Sequence, residues 1–155
     1  MREKIKMNVN NQQIAKDIVI FGAAGDLSKR KLLPALYQLE AAGLLVEKCR
    51  VFGVARQDYS KAEFVEFVKE NLETFVGLNN LNQDIVNAFL NRISYQKLDI
   101  TDADSYVGLA QQLDNPEAEK IYYFSTAPSL FEDICAGLSK AELVLDNSRV
   151  VMEKP

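Results

Sequence analysis

The chain has 155 residues, of which 48% are hydrophobic and 26% are charged, a composition typical of one soluble globular domain. It contains no histidine, which excludes a Ser-His-Asp triad, a Cys-His dyad, a histidine general base and a histidine-ligated metal. The net charge of −4 and a pI near 5.0 argue against a general nucleic-acid-binding surface.

Two further features bear on the cellular compartment. Cys49 and Cys135 have no CxxC spacing, so we predict two buried free thiols in a reducing environment. The most apolar stretch, residues 18–24, is far shorter than the roughly 20 residues that span a bilayer, and the polar amino terminus lacks a signal-peptide core. We therefore expect a cytoplasmic protein without a membrane or nucleic-acid partner, with a flexible tail over residues 1–16 and a folded domain over residues 17–155.

From Asp17 onward, short β-branched or aromatic runs alternate with longer stretches of helical periodicity. The predicted strands are 18–21, 50–54, 93–99, 120–124 and 149–152. The predicted helices run from the turn at 22–25 to near Gly43, from Ser60 with Glu63 completing a capping box, over 102–113 and over 128–138, with an irregular helical stretch at 77–92. This order predicts a doubly wound, mostly parallel α/β sheet covered on both faces, which is a Rossmann-like domain.

The most informative motif is the turn Gly-Ala-Ala-Gly-Asp-Leu-Ser over residues 22–28, between the first strand and the first helix. Glycine in such a turn lets backbone N–H groups approach a pyrophosphate, and the helix amino terminus adds a partial positive charge. Ala24 replaces the second glycine of the G-x-G-x-x-G pattern, and Ser28 is small where the helix must pack closely. We interpret the turn as a dinucleotide phosphate site; a tight turn without a ligand is the alternative.

Asp26 is an unusual residue for a phosphate turn. A carboxylate directed at a pyrophosphate would repel it, so we expect the side chain to turn away. Capping the free helix amides or bonding the neighbouring loop would satisfy it.

The residue after the second strand distinguishes the two nicotinamide coenzymes. NAD-binding domains of this fold usually place Asp or Glu there to accept hydrogen bonds from the adenosine ribose. Here the position holds Arg56, whose guanidinium can bind a 2′-phosphate through two parallel hydrogen bonds. The sequence therefore favours NADP over NAD, with an exposed surface arginine as the alternative.

Three other segments are candidate binding elements. Asp99 and Ile100 end the third strand, where a doubly wound fold borders the adenine, although an ordinary Asp-Thr turn explains them equally well. Residues 125–128, which end at Pro128, follow the fourth strand, where small residues would admit the nicotinamide ring; a helix-entry turn is the competing explanation. One cation of the run 29–31 could reach an anionic substrate, although such a run is usually a solvated helix face.

The residues 18–37 around the Gly-x-x-Gly-Asp-Leu turn, Gly-Val-Ala-Arg at 53–56, residues 122–128 and the final Arg-Val-Val-Met-Glu-Lys-Pro at 149–155 occur in this order along the chain. Together they resemble the coenzyme domain of the glucose-6-phosphate dehydrogenase family, from about Asp17 to the last residue. The turn and the final Glu-Lys-Pro are far more specific together than a generic nucleotide-binding fingerprint.

The resemblance implies a parent enzyme that oxidises glucose 6-phosphate at C1 with NADP as hydride acceptor, at the entry to the pentose phosphate pathway. It implies that Arg56 contacts the 2′-phosphate, that Lys154 lies between nicotinamide and sugar, and that Lys31 lies near the substrate. It marks Lys154–Pro155 as a candidate for a cis peptide bond. It also implies coenzyme phosphate contacts from the turn residues Gly22, Ala23, Ala24, Gly25, Asp26 and Leu27.

The family's catalytic base is a histidine in a downstream Arg-Ile-Asp-His segment, which this sequence lacks. We therefore expect a dinucleotide-binding fragment without the catalytic α+β domain, which binds NADP weakly and turns over no substrate. The family assembles as homo-oligomers through the absent domain, so the chain alone is expected to be a monomer. A non-catalytic NADP-sensing module is the alternative; an S-adenosylmethionine-dependent transferase is disfavoured because it normally has an acidic residue where Arg56 lies.

Overall fold

A computed structural model describes residues 14–153, which form a single parallel sheet with helices on both faces. The sheet order is β3-β2-β1-β4-β5, and all four strand pairs are parallel. From the central strand β1, the chain first adds β2 and β3 on one side of the sheet. It then returns and adds β4 and β5 on the other side of β1. The strands are β1 Lys16–Phe21, β2 Cys49–Ala55, β3 Ile93–Lys97, β4 Glu119–Phe124 and β5 Ser148–Met152.

Helical segments fill each crossover, and several begin or end with a turn of different pitch. A π-helical turn, Ser28–Leu32, leads into α1, Leu33–Ala41. Helix α2, Lys61–Leu72, continues into a π turn at Glu73–Gly77 and a 3₁₀ turn at Leu78–Asn80, before α3, Gln83–Leu90. The last two helices follow 3₁₀ turns at Ala103–Tyr106 and Pro128–Leu130; they are α4, Val107–Gln112, and α5, Phe131–Lys140.

The central strand β1 is buried from both sides, which explains its continuous apolar sequence. Val19, Ile20 and Phe21 are each at most 1% exposed. Val19 and Phe21 pack into a cluster under α4 and α5, whereas Ile20 packs into a second cluster under α1, α2 and α3. Successive side chains on a strand point to opposite faces, so this one short run supplies both cores.

Local signals set the helix boundaries as predicted. Ser60 accepts a hydrogen bond from the Glu63 amide at 3.1 Å, and the Glu63 side chain accepts one from the Ser60 amide, which completes the capping box. Gly43, with φ +69, follows α1 at the left-handed position typical of a helix end.

The prediction of a doubly wound parallel sheet is confirmed by the strand order and by the four parallel pairs.

Four details differ from the sequence predictions. Lys16 begins β1, so the predicted tail extends into the sheet, and residues 1–13 lie outside the described part of the chain. β3 ends at Lys97 rather than at 99. β5 is largely exposed on both faces. Cys135 is exposed rather than buried, because α5 turns Ile134 and Leu138 toward the sheet and the next residue along a helix is rotated by about 100°, out of that buried stripe.

Within residues 14–153, none of the helices combines the length and apolar character needed to cross a membrane.

Candidate dinucleotide site

The turn after β1 is tied to the end of β2 by its backbone. The amides of Gly22 and Ala23 both donate to the carbonyl oxygen of Val54, at 3.0 and 3.1 Å, and the amide of Gly25 donates back to the carbonyl of Gly22 at 2.9 Å. Gly22 has a φ of +82, a conformation that side-chain-bearing residues rarely adopt. Glycine at 22 is therefore a requirement of the turn itself.

The end of β4 closes over this turn. The Ser125 hydroxyl and amide both donate to the carbonyl of Phe21, at 2.8 and 3.0 Å. Phe21 and Phe124 are directly paired in the sheet, so the loops that follow β1 and β4 leave it side by side. This is the point at which the strand order reverses, where doubly wound sheets bind their ligands.

The start of the first helix leaves donors available. Within residues 14–153, the amides of Asp26 and Leu27 donate to no backbone carbonyl, as expected for the first turn of a helix. The Asp26 carboxylate does not cap them: it accepts a hydrogen bond from Arg30 Nε at 2.7 Å and is exposed. The predicted capping role of Asp26 is therefore wrong, because the (i, i+4) spacing offers a cation on the same helix face. Its predicted turn away from the phosphate position is consistent with this pair.

A cleft of about 260 Å³ lies at the carboxyl edge of the sheet and collects residues from the ends of four strands. The turn contributes Gly22, Ala24 and Gly25; the end of β2 contributes Arg56; the segment after β3 contributes Ile100. The residues that line the cleft are up to 108 positions apart in sequence, from Gly22 to Leu130, and parallel pairing of the strands places them together. The cleft therefore unites the predicted phosphate turn and the predicted 2′-phosphate arginine.

Other predicted residues lie beside the cleft rather than in its wall. Ala23 is fully buried beneath the turn. Asp26 is exposed and Leu27 is half-buried, both at the helix start. Pro128 is exposed at the first position of a 3₁₀ turn. Lys154 and the Lys154–Pro155 peptide lie outside the described residues.

Asp99 lies close enough to Arg56 of the cleft wall to interact with its charge. Its carboxylate accepts hydrogen bonds from the Thr101 hydroxyl at 2.8 Å and from the Thr101 amide at 3.0 Å. These bonds, together with the positive charge of Arg56, lower the pKa of Asp99 from its ordinary value. The Asp-Thr turn considered in the sequence analysis is thus formed. It orients Asp99 in the loop that also carries Ile100.

The three basic residues 29–31 at the helix start differ in what their side chains contact. The Lys29 ammonium lies 5.7 Å from the centre of the Phe67 ring, and the Arg30 guanidinium lies 5.4 Å from that of Phe75. Arg30 also pairs with Asp26. Lys31 is exposed, and within residues 14–153 it has no ion pair. Lys29 likewise has no ion pair within the described residues, so Lys31 differs from it in lying over no aromatic ring there.

Sequence reasoning missed several wall residues. Gln57, Leu98 and Leu130 line the cleft but carry no motif. Their common signal is position, because each lies within a few residues of the carboxyl end of a strand or at the entry of the helix that follows. That signal becomes useful only once the strand order is known.

The residues present fit a nicotinamide dinucleotide. Gly22, Ala24 and Gly25 line the cleft with no side chain larger than a methyl group, and Arg56 lines the same cleft. Within residues 14–153, the amides of Asp26 and Leu27 donate to no backbone carbonyl. Free N–H groups at a helix start bind anions. The fold and the cleft together define an α/β dinucleotide-binding domain of the doubly wound class.

Comparison with known proteins places the domain in one family. The sequence profile of the family described as "Glucose-6-phosphate dehydrogenase, NAD binding domain" matches residues 19–155, and this chain belongs to that family. It is 42% identical over 149 residues to the glucose-6-phosphate 1-dehydrogenase of Dickeya dadantii, covering 96% of this chain and 30% of that protein. It is also 42% identical over 138 residues to that of Zymomonas mobilis, covering 89% of this chain and 28% of that protein.

Solved structures agree with this assignment. The chain superposes on the glucose-6-phosphate 1-dehydrogenase of Mycobacterium avium with a TM-score of 0.81 at 31% identity, covering 92% of this chain and 30% of that one. It superposes on a glucose-6-phosphate dehydrogenase in complex with its substrate glucose 6-phosphate with a TM-score of 0.75 at 29% identity, covering 92% of this chain and 31% of that one. The chain thus spans about three tenths of the length of these relatives.

Proposed function

We propose that this chain is the coenzyme-binding part of an NADP-dependent glucose-6-phosphate 1-dehydrogenase. The observation that carries the coenzyme assignment is the position of Arg56, which shares one cleft with the glycine turn at the carboxyl edge of the sheet. A guanidinium there favours a ribose 2′-phosphate, which NADP has and NAD lacks.

The proposed binding residues divide along the cleft. The turn residues 22–27 would hold the pyrophosphate through backbone N–H groups, and within residues 14–153 those of Asp26 and Leu27 donate to no backbone carbonyl. Arg56 would bind the 2′-phosphate, and the loop carrying Asp99 and Ile100 would border the adenine. Thr126 lines the cleft on the β4 side, so the segment ending at Pro128 would border the nicotinamide.

The substrate of the complete enzyme would be glucose 6-phosphate, and bound NADP supplies the acceptor for the hydride from C1. Lys31 and Lys154 are the proposed cations for the sugar phosphate and the reacting end, respectively. The chain contains no histidine, so it has no imidazole to take the proton from the C1 hydroxyl. We propose that the chain alone binds coenzyme without turnover and is monomeric, whereas the complete enzyme is a cytoplasmic homo-oligomer.

Calorimetric titration of the purified 155-residue chain with NADP and with NAD tests the coenzyme assignment. Charge-assisted hydrogen bonds are worth about 1.5–3 kcal/mol each, so we expect NADP to bind roughly 10- to 100-fold more tightly than NAD. Circular dichroism establishes that the sample is folded. A folded sample that gives no heat with NADP at millimolar concentration contradicts the proposal, and so does measurable oxidation of glucose 6-phosphate by the chain alone.

A further inference from the structure

We propose that Tyr95 sets the coenzyme preference by holding the loop that carries Arg56, a role that rests on the proposed NADP site. Tyr95 lies on β3, directly opposite Gly53 of β2, and lines no part of the cleft. It is therefore a positioning residue, which acts on the coenzyme through the backbone of residues 55–57.

The segment around Arg56 is anchored on both sides. The Tyr95 hydroxyl donates a hydrogen bond to the carbonyl oxygen of Gln57 at 2.5 Å, and the Leu98 amide donates to the carbonyl of Ala55 at 2.9 Å. Arg56 is the single residue between these two carbonyls. Both anchors come from the β3 side, so β3 and the residue after it hold the backbone from which the guanidinium projects.

Aromatic packing fixes the direction of the Tyr95 hydroxyl. Its ring centre lies 4.8 Å from that of Phe64 and 5.5 Å from that of Tyr59, and the residue is 8% exposed. A Cβ at Gly53 would overlap the Phe64 ring, so the glycine of β2 makes room for this cluster. Burial, together with Tyr59 and Asp58, raises the pKa of Tyr95 to about 12, so the hydroxyl keeps its proton and donates at neutral pH.

Anchoring of the Arg56 backbone should affect binding of the 2′-phosphate more than binding of the rest of the coenzyme. Binding a phosphate through an arginine orders both the long side chain and its backbone, and the entropy lost is smaller when the backbone is already held. NAD has no 2′-phosphate and so does not engage Arg56. Loosening the Arg56 segment therefore weakens NADP and leaves NAD unchanged.

The test compares adenosine 2′,5′-bisphosphate with adenosine 5′-monophosphate as probes, titrated calorimetrically into the 155-residue chain and its Tyr95→Phe variant. Loss of one hydrogen bond of about 1 kcal/mol corresponds to roughly a 5-fold change. We expect Tyr95→Phe to bind the bisphosphate about 5-fold more weakly and the monophosphate equally well. In the Arg56→Ala background, Tyr95→Phe is expected to have no further effect on the ratio of the two affinities.

Tyr59→Phe is the matched control. It removes a hydroxyl from the same aromatic cluster, and within the described residues that hydroxyl makes no hydrogen bond. We expect it to leave both probes unchanged.

The outcomes separate this inference from the proposed function. If the unmodified chain binds both probes equally, the NADP assignment fails. If it prefers the bisphosphate and Tyr95→Phe keeps the full preference, or loses affinity for the two probes in equal measure, the role of Tyr95 is overturned. A Tyr95→Phe effect that persists in the Arg56→Ala background overturns it as well.

Discussion

Gly22 and Ser125 approach so closely that a Cβ added to Gly22 would lie 2.7 Å from the Ser125 carbonyl oxygen. The Ser125 hydroxyl in turn donates to the carbonyl of Phe21 at 2.8 Å. The loops after β1 and β4 are therefore joined as one unit at the switch point of the sheet. The glycine requirement of the turn comes from this neighbour as well as from its own φ.

We expect Gly22→Ala to weaken NADP binding by at least about 10-fold, because the added methyl displaces the β4 loop from the turn. A left-handed conformation for a residue with a side chain costs about 1–2 kcal/mol, and the contact with Ser125 adds to that cost. Calorimetric titration and urea unfolding measure the two effects.

Gly43→Ala is the control for the strain alone. Gly43 has a φ of +69, but a Cβ there meets nothing within 4 Å. We expect a similar strain cost of about 1 kcal/mol in urea unfolding and unchanged NADP binding. Equal NADP affinities of the two variants would show that the close approach to Ser125 does not shape the site.

Arg56→Ala should weaken NADP much more than NAD. Removing the guanidinium would abolish the proposed charge-assisted bonds to the 2′-phosphate, worth about 1.5–3 kcal/mol each, while NAD offers no such phosphate. Titration with both coenzymes at one ionic strength measures the ratio. Lys48→Ala makes the same change in net charge at the opposite edge of the sheet, just before β2, and is expected to leave the ratio unchanged. Equal losses for NADP and NAD in Arg56→Ala would contradict the assignment.

A buried ionic cluster lies at the amino ends of β1, β2 and β4, and breaking it should strongly lower the free energy of unfolding. Asp17 and Lys120 are both 1% exposed and lie 3.2 Å apart, and Arg50 donates twice to Asp17 at 2.8 and 3.1 Å. Asp17→Ala leaves the Lys120 ammonium buried without its carboxylate. We expect a loss of about 3–5 kcal/mol in the free energy of urea unfolding.

The exposed pair Lys140–Asp104, at 2.6 Å, provides the comparison. Because both side chains are largely in water, Asp104→Ala is expected to leave the urea midpoint unchanged within error. If Asp17→Ala also left the midpoint unchanged, the buried cluster would contribute no stability.

Alkaline pH should destabilise the fold through its buried tyrosines. Burial raises the pKa values of Tyr95, Tyr106 and Tyr122 above their ordinary value of 10.0, with Tyr95 at about 12. Above pH 10 the unfolded chain loses these protons while the folded chain retains them, so the free energy of unfolding falls as pH rises. Urea midpoints measured from neutral pH to about pH 11 should be constant at first and then fall.

Phenolate absorbance followed on the same samples should show these three tyrosines resisting ionisation until the circular dichroism signal is lost. Ionisation of all six tyrosines near pH 10 in a chain that still gives its folded signal would contradict the burial of the three hydroxyls. The three hydroxyls donate to the carbonyls of Gln57, Ile100 and Leu143, respectively, so ionisation would also remove three internal hydrogen bonds.

The succession of strands and helices along the chain, the helix caps and the glycine turn after β1 were predictable, because each depends on neighbours within a few residues. The capping box at Ser60 and the helix end at Gly43 are such signals. The π turn at Ser28–Leu32 had no signal in the pattern. The exposure of Cys135 was missed because it depends on which side of α5 meets the sheet.

By itself, the sequence determined the class of fold, the glycine turn and the arginine after β2, since apolar periodicity and strand-turn-helix motifs are written in contiguous residues. The tertiary structure alone decided which of these segments share a cleft. Parallel pairing joins residues far apart in the chain, as when Ser125 bonds Phe21 across 104 positions and Tyr95 bonds Gln57 across 38. No local pattern specifies such contacts, because they arise only when the strands have taken their places in the sheet.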